Sequence, residues 1–253
     1  MIGELQRASV WKRISAALLD LILLGIAAVG VALLLSSLLG YDGYNQTLQD
    51  GYARYEAEYG VVFDIPYEEY EAMTEAERKN YDTAFAALSA DEEVVGAYAM
   101  MLSLTILIVS LGLFFAYMLL EFVVPLLFKN GQTVGKKIFG IALMRTNGVK
   151  INPVCLFIRA VLGKYTIETM IPVLIAIMIY FNSIGLIGPV ILLLTLAMEV
   201  ILMATTYNRS LIHDLLANTV TVDLASQMIF DSEEHLLAYR KKLHAEEAAA
   251  KPY

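Results

Sequence analysis

The sequence predicts an all-α membrane protein with four transmembrane helices, both termini in the cytosol, a short helical extracytoplasmic insertion and a small cytosolic β-hairpin. Two observations lead to this prediction. Of the 253 residues, 58% are hydrophobic, the mean hydropathy is +0.61, and the apolar residues come in long blocks. The net charge of −8 is also uneven, because segment 40–93 holds 14 acidic and three basic residues. This composition indicates that a lipid bilayer is the solvent for most of the chain.

Residues 1–39 are expected to form a cytosolic N-terminus and the first span. Between Arg13 and Asp42 the only charged residue is Asp20, and Leu18–Leu39 alone supplies an apolar run of 22 residues. About 20 apolar residues are enough to cross the hydrocarbon core as a helix. A cleaved signal peptide also has basic residues before an apolar run. This run is too long for one, however, and it lacks a small-residue cleavage site.

Segment 94–128 contains the second span. Its only charged residue is Glu121, and its 35 residues exceed one membrane crossing, so the helix is expected to begin within the insertion, segment 40–93. The insertion has capping-box patterns at Thr74–Glu77 and Ser89–Glu92, which predict two or three short helices. It also holds eight of the 15 tyrosines. These tyrosines indicate a cap packed by aromatic faces or, alternatively, a surface for a partner or a cation.

Segment 165–206 contains the third and fourth spans. Its only charged residues are Glu168 and Glu199. A turn at Asn182–Gly185 divides it into two helices long enough to cross a membrane, about 165–181 and 184–206.

The basic residues predict the orientation of the spans. Fifteen of the 18 lysines and arginines fall in the N-terminus, in segment 129–164 and in segment 207–253. Basic loops resist translocation, so these three regions are expected to be cytosolic, and an even number of spans allows it. The acidic segment 40–93 is then extracytoplasmic.

Segment 129–164 is expected to be a cytosolic loop with a hairpin and an interfacial helix. Alternating apolar residues flank Asn147-Gly148, a strong two-residue hairpin turn. Asn152-Pro153 then opens a helix that contains Arg159 and lies at the membrane interface. In segment 207–253, Thr219–Asp223 is strand-like and can pair with the hairpin. A final helix that begins near Asp231 is expected to be a solvated tail.

Four carboxylates lie inside the predicted spans. Asp20, Glu121 and Glu199 are each seven residues from the cytosolic end of their helix, which places them at a similar depth, and Glu168 lies nearer the cytosol. A carboxylate in a bilayer costs ~2.5–3.5 kcal/mol, so these groups need compensation. In one hypothesis, basic residues pair with the carboxylates and fix helix packing; the candidates are Arg13, Arg159, Lys164 and Arg209. In the other, at least two carboxylates, Asp20 and Glu121 first, exchange protons or hold a cation.

Three stretches carry motifs outside and at the edges of the spans: Arg13–Asp20, Gly131–Gly140 and Leu211–Val220. The second is not a nucleotide-binding phosphate loop, because Asn130 and Lys137 stand where such a loop needs Gly and Ser or Thr. In order and spacing, the three stretches together resemble the RDD family of small bacterial membrane proteins, named for one arginine and two aspartates. The matching residues are Arg13, Asp20, Gly131, Thr133, Gly135, Lys136, Gly140, His213 and Asp214.

The resemblance implies a multi-pass protein of the plasma membrane, in a family for which transport, including cation–proton exchange, is a proposal. One departure is Ala217-Asn218-Thr219, where relatives tend to have Ala-Gly-Thr; asparagine tolerates the left-handed conformation that glycine adopts. His213-Asp214 is expected to be a helix-end cap near the membrane surface. The alternative is a cytosolic gate or proton entry, since histidine titrates near neutral pH.

Two functions remain open. The first is a small cation/proton transporter acting through the span carboxylates on protons or monovalent cations, and working as a homo-oligomer because four helices enclose little volume. The second is a non-transporting scaffold or accessory subunit that binds a partner through its acidic outer loop.

Other classes of function are not expected. No Ser or Cys nucleophile is placed with a base, and the three histidines lack metal-ligand spacing, so we expect no enzyme, metal or cofactor. An acidic membrane chain is also not expected to bind nucleic acid.

Overall fold

A computed structural model of the chain describes residues 6–128, 130–180 and 183–250. The described chain is mostly helical and divides into two compact units. One unit comprises residues 28–113 and is called the insertion unit below. The other comprises the described residues before position 28 and after position 113, and is called the core unit. The boundary between the two units falls within the first and fifth helices.

Four helices of the described chain are long and apolar enough to cross a membrane: α1 (Val10–Leu38), α5 (Glu92–Leu127), α7 (Pro153–Tyr180) and α8 (Ile187–Thr205). Many of their large apolar side chains are exposed in the described part of the chain; Leu33 of α1 and Leu194 of α8, for example, are 67% and 64% exposed. Apolar surface of this extent requires a lipid environment. The predicted number of spans is therefore confirmed, and the chain is a membrane protein.

The third span differs in its bounds from the expected helix. It begins at Pro153 and includes Arg159, so the segment expected to form a separate interfacial helix is continuous with the span. Asn152 caps its start, accepting a hydrogen bond from the backbone N–H of Cys155 (2.7 Å). Of the turn predicted at Asn182–Gly185, Asn182 lies outside the described residues, and Gly185 adopts a left-handed φ of 50°.

Two of the spans contain π-helical stretches, Met118–Val123 in α5 and Ile158–Met170 in α7. Each stretch ends two residues before a proline, Pro125 or Pro172. A proline has no N–H to donate to the carbonyl four residues earlier, and membrane helices adjust locally around it. In a π-helix hydrogen bonds join residues five apart, so side chains at this spacing lie near one another.

The insertion unit contains α2 (Tyr41–Tyr59), α3 (Tyr67–Ala72) and α4 (Glu75–Ala90). Its core is formed by apolar and aromatic side chains, with Phe63 packed edge-on against Tyr52 and Tyr81 at ring-centroid distances of 5.7 Å. This arrangement is that of the aromatic-packed cap expected from the tyrosines. Thr74 and Glu77 form the predicted capping box at the start of α4.

The second capping-box prediction, at Ser89, is wrong. Ser89 lies within α4, and Asp91 caps the next helix by accepting hydrogen bonds from the backbone N–H groups of Glu93 (2.9 Å) and Val94 (3.3 Å). Aspartate caps helices as well as serine does, and Asp91 directly precedes α5.

In the core unit, two strands and three further helices lie between and beyond the spans: α6 (Val134–Ile138), β1 (Ile141–Arg145), α9 (Ile212–Leu216), β2 (Thr219–Asp223) and α10 (Glu233–Ala249). The turn at Asn147-Gly148 forms, with the Arg145 N–H donating to the Val149 carbonyl (2.8 Å). Beyond the turn the hairpin is short, with one antiparallel bridge between Met144 and Lys150. As expected for the strand-like segment Thr219–Asp223, β2 pairs with the hairpin, antiparallel to β1 and with Leu143 opposite Thr221.

Candidate functional site

Asp20 of α1 binds the start of a short helix. Its carboxylate accepts hydrogen bonds from the Thr133 hydroxyl (2.5 Å) and from the backbone N–H of Gly135 (2.8 Å). Thr133 is the N-cap of α6 and also accepts from the backbone N–H of Lys136 (3.3 Å). A Cβ at Gly135 would overlap the carbonyl oxygen of Ala16, so only glycine permits this close approach. The negative charge of Asp20 is thus stabilised by a hydroxyl and by a helix N-terminus.

Asp214 of α9 is almost fully buried between two arginines. It forms ion pairs with Arg13 of α1 (Nη2–Oδ2, 3.2 Å) and with Arg159 of α7, and it accepts from the Thr219 hydroxyl (3.2 Å). Arg13 also donates to the backbone carbonyl of Arg209 (2.5 Å). Burial alone would raise the pKa of Asp214, but the two arginines hold it well below its ordinary value. This network ties α1, α7 and α9 together.

His213 binds Glu168 of α7. Its backbone N–H donates to Glu168 Oε1 (2.9 Å), and its Nδ1 lies 2.7 Å from both carboxylate oxygens. A Cβ at Gly163 would overlap His213, so α7 and α9 are in direct contact here. Burial lowers the pKa of His213 below its ordinary value, which keeps the ring neutral near neutral pH.

Glu121 of α5 pairs with Lys164 of α7 at an Oε1–Nζ distance of 2.5 Å. Both residues lie in π-helical stretches, and the side chain of Glu121 is buried. A hydrogen bond between the Tyr117 and Thr169 hydroxyls (2.7 Å) joins the same two helices nearby. Glu121 therefore contributes to the contact between α5 and α7.

Glu199 of α8 differs from the other three span carboxylates. Both of its carboxylate oxygens are buried, and in the described chain no group makes a hydrogen bond of standard geometry with them, although the backbone N–H of Ile212 and the carboxyl group of Glu168 are near enough to interact. The carboxylate of Glu168 interacts with Glu199 electrostatically. Within the same residues, no lysine or arginine forms an ion pair with it. A buried carboxyl group without a partner is costly to keep charged, so such groups are uncommon unless they have a function.

A cavity of about 140 Å³ lies among these elements of the core unit. Its charged lining groups are Arg13, Asp20, Lys136, Arg159 and Lys164, and His213 also borders it. The rest of the wall is largely apolar, with Ile14 and Ala17 of α1 and Met203 of α8. The cavity is large enough to hold several water molecules.

Lys136 has an unusual setting in this cavity. It is 7% exposed, and its Nζ is 3.4 Å from the Thr133 hydroxyl, with no carboxylate of the described chain within ion-pair distance. Burial lowers its pKa to about 8, against the attraction of Glu121 and Asp20. Lys136 belongs to the second motif stretch, but its sequence position alone does not indicate burial.

The predicted site residues do not form one cluster; they take part in separate contacts. Asp20, Glu121 and Glu199, expected at one depth, have different environments: a helix N-terminus, a lysine and no partner. Of the predicted charge partners, Lys164 pairs with a span carboxylate, but Arg159 pairs with Asp214. Arg209 has an exposed side chain and contributes its carbonyl.

Two glycines of the second motif stretch and Asn218 of the third adopt left-handed backbone conformations. Gly131 and Gly140 have left-handed φ values of 61° and 65°, and a Cβ at Gly131 would lie 2.7 Å from Ile151. Asn218 is also left-handed (φ 54°), as its place in the third stretch predicts.

Sequence reasoning missed three features of the site: the cap of Asp20 on α6, the burial of Lys136, and the pairing of His213 with Glu168. One signal for the first was present. Thr133 can cap the start of a helix, and Asp20, in another motif stretch, had no assigned partner.

The comparisons with known proteins give one finding. The model of the RDD family matches residues 7–218 of the chain. This range includes Arg13, Asp20 and Asp214. No curated protein and no solved structure matches the sequence closely enough to count as a relative.

Proposed function

The chain belongs to the RDD family of membrane proteins, and from the geometry of its site we propose that it is a small proton-coupled cation transporter that exchanges protons at Glu199 and Glu168. The observation that carries the proposal is the pair of buried Glu199 oxygens, which make no hydrogen bond of standard geometry and no ion pair with a basic side chain within the described residues. A carboxyl group in this setting is most stable when it holds a proton, and it can release the proton when a cation or water reaches it.

A path for the proton supports the choice of this pair. Glu199 interacts with Glu168, Glu168 is hydrogen-bonded to His213, and His213 borders the cavity. A neutral imidazole can accept a proton on one nitrogen and release it from the other. Protons would thus travel between the cavity and Glu199 over two neighbouring side chains.

The other two span carboxylates suit the role less well. Asp20 already accepts two hydrogen bonds at the start of α6, and Glu121 is paired with Lys164. A cation that replaced Lys164 would leave that lysine unpaired in a largely buried place, at a cost of several kcal/mol. In the proposal, Asp20 and Glu121 hold the helices in place.

We propose the orientation in which both termini, α6 and the β-sheet are cytosolic and the acidic segment 40–93 is extracytoplasmic, following the distribution of lysine and arginine. Single cysteines test it in a Cys155→Ala background. Ser226→Cys, next to β2, should react with a membrane-impermeant maleimide only after cells are opened, and Ser89→Cys, in α4, should react in intact cells. The reverse pattern would contradict the orientation.

Reconstitution into proteoliposomes tests transport. With a pH gradient across the vesicle and a pH-sensitive dye inside, addition of Na⁺, K⁺ or Li⁺ should release the gradient for at least one cation. Glu199→Gln should abolish this flux, and the matched control Glu234→Gln, at an exposed position of α10, should leave it unchanged. Absence of flux with all three cations, or full flux in Glu199→Gln, would contradict the proposal.

A scaffold or accessory subunit is the second candidate, favoured by one observation. Residues 28–113 form a compact unit with their own aromatic core, and segment 40–93 within it has a net charge of −11. A surface of this charge suits a basic partner domain. Deletion of residues 44–90 should then lose a co-purifying partner, with no change in partner binding on Glu199→Gln; the transport proposal predicts the loss of flux in Glu199→Gln instead.

A further inference from the structure

Cationic side chains outnumber carboxylates among the residues that line the cavity of the core unit. Four cationic side chains border it, and three carboxylates, Asp20, Glu121 and Asp214, interact with these cations. Glu168, which His213 binds, also interacts with Lys164, so the charges of the whole network balance. At the wall of the cavity itself, however, the acidic lining residue is Asp20, and the four cations outnumber it.

Two of the cations have unused donors although they are deeply buried. Arg159 is 3% exposed, and its Nε is buried with no hydrogen-bond partner among residues 6–128, 130–180 and 183–250. Lys136 is 7% exposed, and its ammonium group, which has three donors, makes one long contact to Thr133. Leaving charged donors unpaired in a protein interior is costly, and few native groups are left so. Both side chains border the same cavity.

We propose that this cavity binds a phosphate group, with Lys136 and Arg159 as its anchoring donors. A phosphodiester is anionic and has several acceptor oxygens, so it suits a wall lined by cations and can accept hydrogen bonds from the unused donors. The cavity of about 140 Å³ has room for a group of a few heavy atoms.

The source of the phosphate is indicated by the wall of the cavity. Ile14 and Ala17 of α1 and Met203 of α8 line it, and both helices are membrane spans. Ile14 and Ala17 are also partly exposed outside the cavity. An apolar wall between spans suits the glycerol and acyl part of a lipid, and basic pockets between spans are known to hold anionic headgroups. The proposal therefore expects an anionic phospholipid more than free phosphate.

Binding to the purified, delipidated full-length chain in neutral detergent tests the proposal. The three probes are phosphatidylglycerol, inorganic phosphate and diacylglycerol, and the readouts are ligand adducts in native mass spectrometry and the shift of Tm. Phosphatidylglycerol should bind and raise Tm, and diacylglycerol, which lacks the phosphate, should do neither. If inorganic phosphate raises Tm as much as the lipid does, the site is a phosphate site whose source is the free ion.

A matched pair of lysines tests the place of binding. Lys136→Met removes the buried charge and keeps the length of the side chain, and Lys137→Met removes the neighbouring exposed charge. Loss of a charged hydrogen bond corresponds to roughly tenfold or more in affinity. We expect that loss for Lys136→Met and a change within about twofold for Lys137→Met.

A second variant covers the case in which Lys136→Met does not fold. Ala17→Leu fills the cavity from α1 without removing a charge, and it should also weaken lipid binding. Equal affinity of the wild type, Lys136→Met and Lys137→Met would overturn the proposal. So would unchanged affinity in Ala17→Leu, or the absence of any Tm shift with both phosphate-containing probes.

Discussion

Asp214 and Glu199 are two buried carboxylates of the core unit with opposite surroundings. Asp214 lies between two arginines and accepts a further hydrogen bond from Thr219, whereas the oxygens of Glu199 make no standard hydrogen bond and no ion pair with a basic side chain within the described residues. The first arrangement satisfies a charge and joins three helices. The second leaves the carboxyl group of Glu199 unsatisfied within a helix that is long and apolar enough to cross a membrane. The difference distinguishes a carboxylate that joins helices from the one to which we assign proton exchange in the proposed function.

Removal of the charge of Asp214 should have the largest effect. Asp214→Asn leaves Arg13 and Arg159 largely buried without a counter-ion, which should destabilise the protein by about 3–5 kcal/mol. Thermal unfolding in detergent measures the change. The control is Asp223→Asn, whose ion pair with the partly exposed Lys12 should be worth less than about 1 kcal/mol. Equal losses in the two variants would show that the Asp214 network does not hold the helices.

Removal of the buried charge of Lys136 should stabilise the protein, whereas Asp214→Asn should destabilise it. Its pKa is lowered from 10.5 to about 8, so the unfolded chain binds more protons between these values and stability rises with pH across that window. The charged groups that act on Lys136 are Glu121, Lys164, Arg159 and Asp20. Without a bound anion, Lys136→Met should therefore stabilise the protein at pH 7 by on the order of 2 kcal/mol.

The pH dependence provides the check on Lys136. Tm of the delipidated wild type should rise from pH 8 to pH 10 relative to Lys136→Met, and Lys137→Met should follow the wild type. A loss of stability in Lys136→Met at pH 7 would mean that the lysine is paired in the folded protein.

Asp20→Asn should have a smaller effect on stability. Thr133 and Gly135 donate to different oxygens of Asp20, and asparagine has only one acceptor oxygen, which carries no charge. The free energy of unfolding should therefore fall by about 1 kcal/mol. Cation-dependent proton flux should persist in proteoliposomes made from this variant. If Asp20→Asn keeps its stability and loses flux, Asp20 belongs to the transport site, as the sequence alone suggests.

Glu199→Gln should change stability least. Since Glu199 has no ion-pair partner in the described chain, its replacement by a neutral side chain of the same shape should alter the free energy of unfolding by less than about 1 kcal/mol. Thermal unfolding next to Asp214→Asn gives the direct comparison. A loss as large as that of Asp214→Asn would reveal a structural partner for Glu199.

The sequence predicted the features that depend on local composition. The four spans follow from hydropathy, the Thr74 cap from two residues three apart, and the left-handed Asn218 from its motif. Most contacts between distant segments were not accessible in this way. The pairing of β1 with β2, beyond two spans, was expected because both segments are strand-like, but its register was not.

The charge network was also hidden by helix geometry. Arg159, Lys164 and Thr169 are spaced five apart, which in an α-helix places them on different faces. The π-helical stretch Ile158–Met170 brings residues at this spacing near one another. Counting residues from a helix end could place carboxylates at one depth, but it could not show which of them have partners.

The most direct test of the central claim is the protonation of Glu199 itself. Infrared difference spectroscopy of the reconstituted protein, with and without the cation that releases the pH gradient, records the carbonyl band of a protonated carboxyl group. Addition of the cation should remove that band in the wild type and in Glu234→Gln, and the change should be missing in Glu199→Gln. A wild-type difference band that persists in Glu199→Gln, or a cation that leaves the carboxyl band unchanged, would contradict the assignment of proton exchange to Glu199.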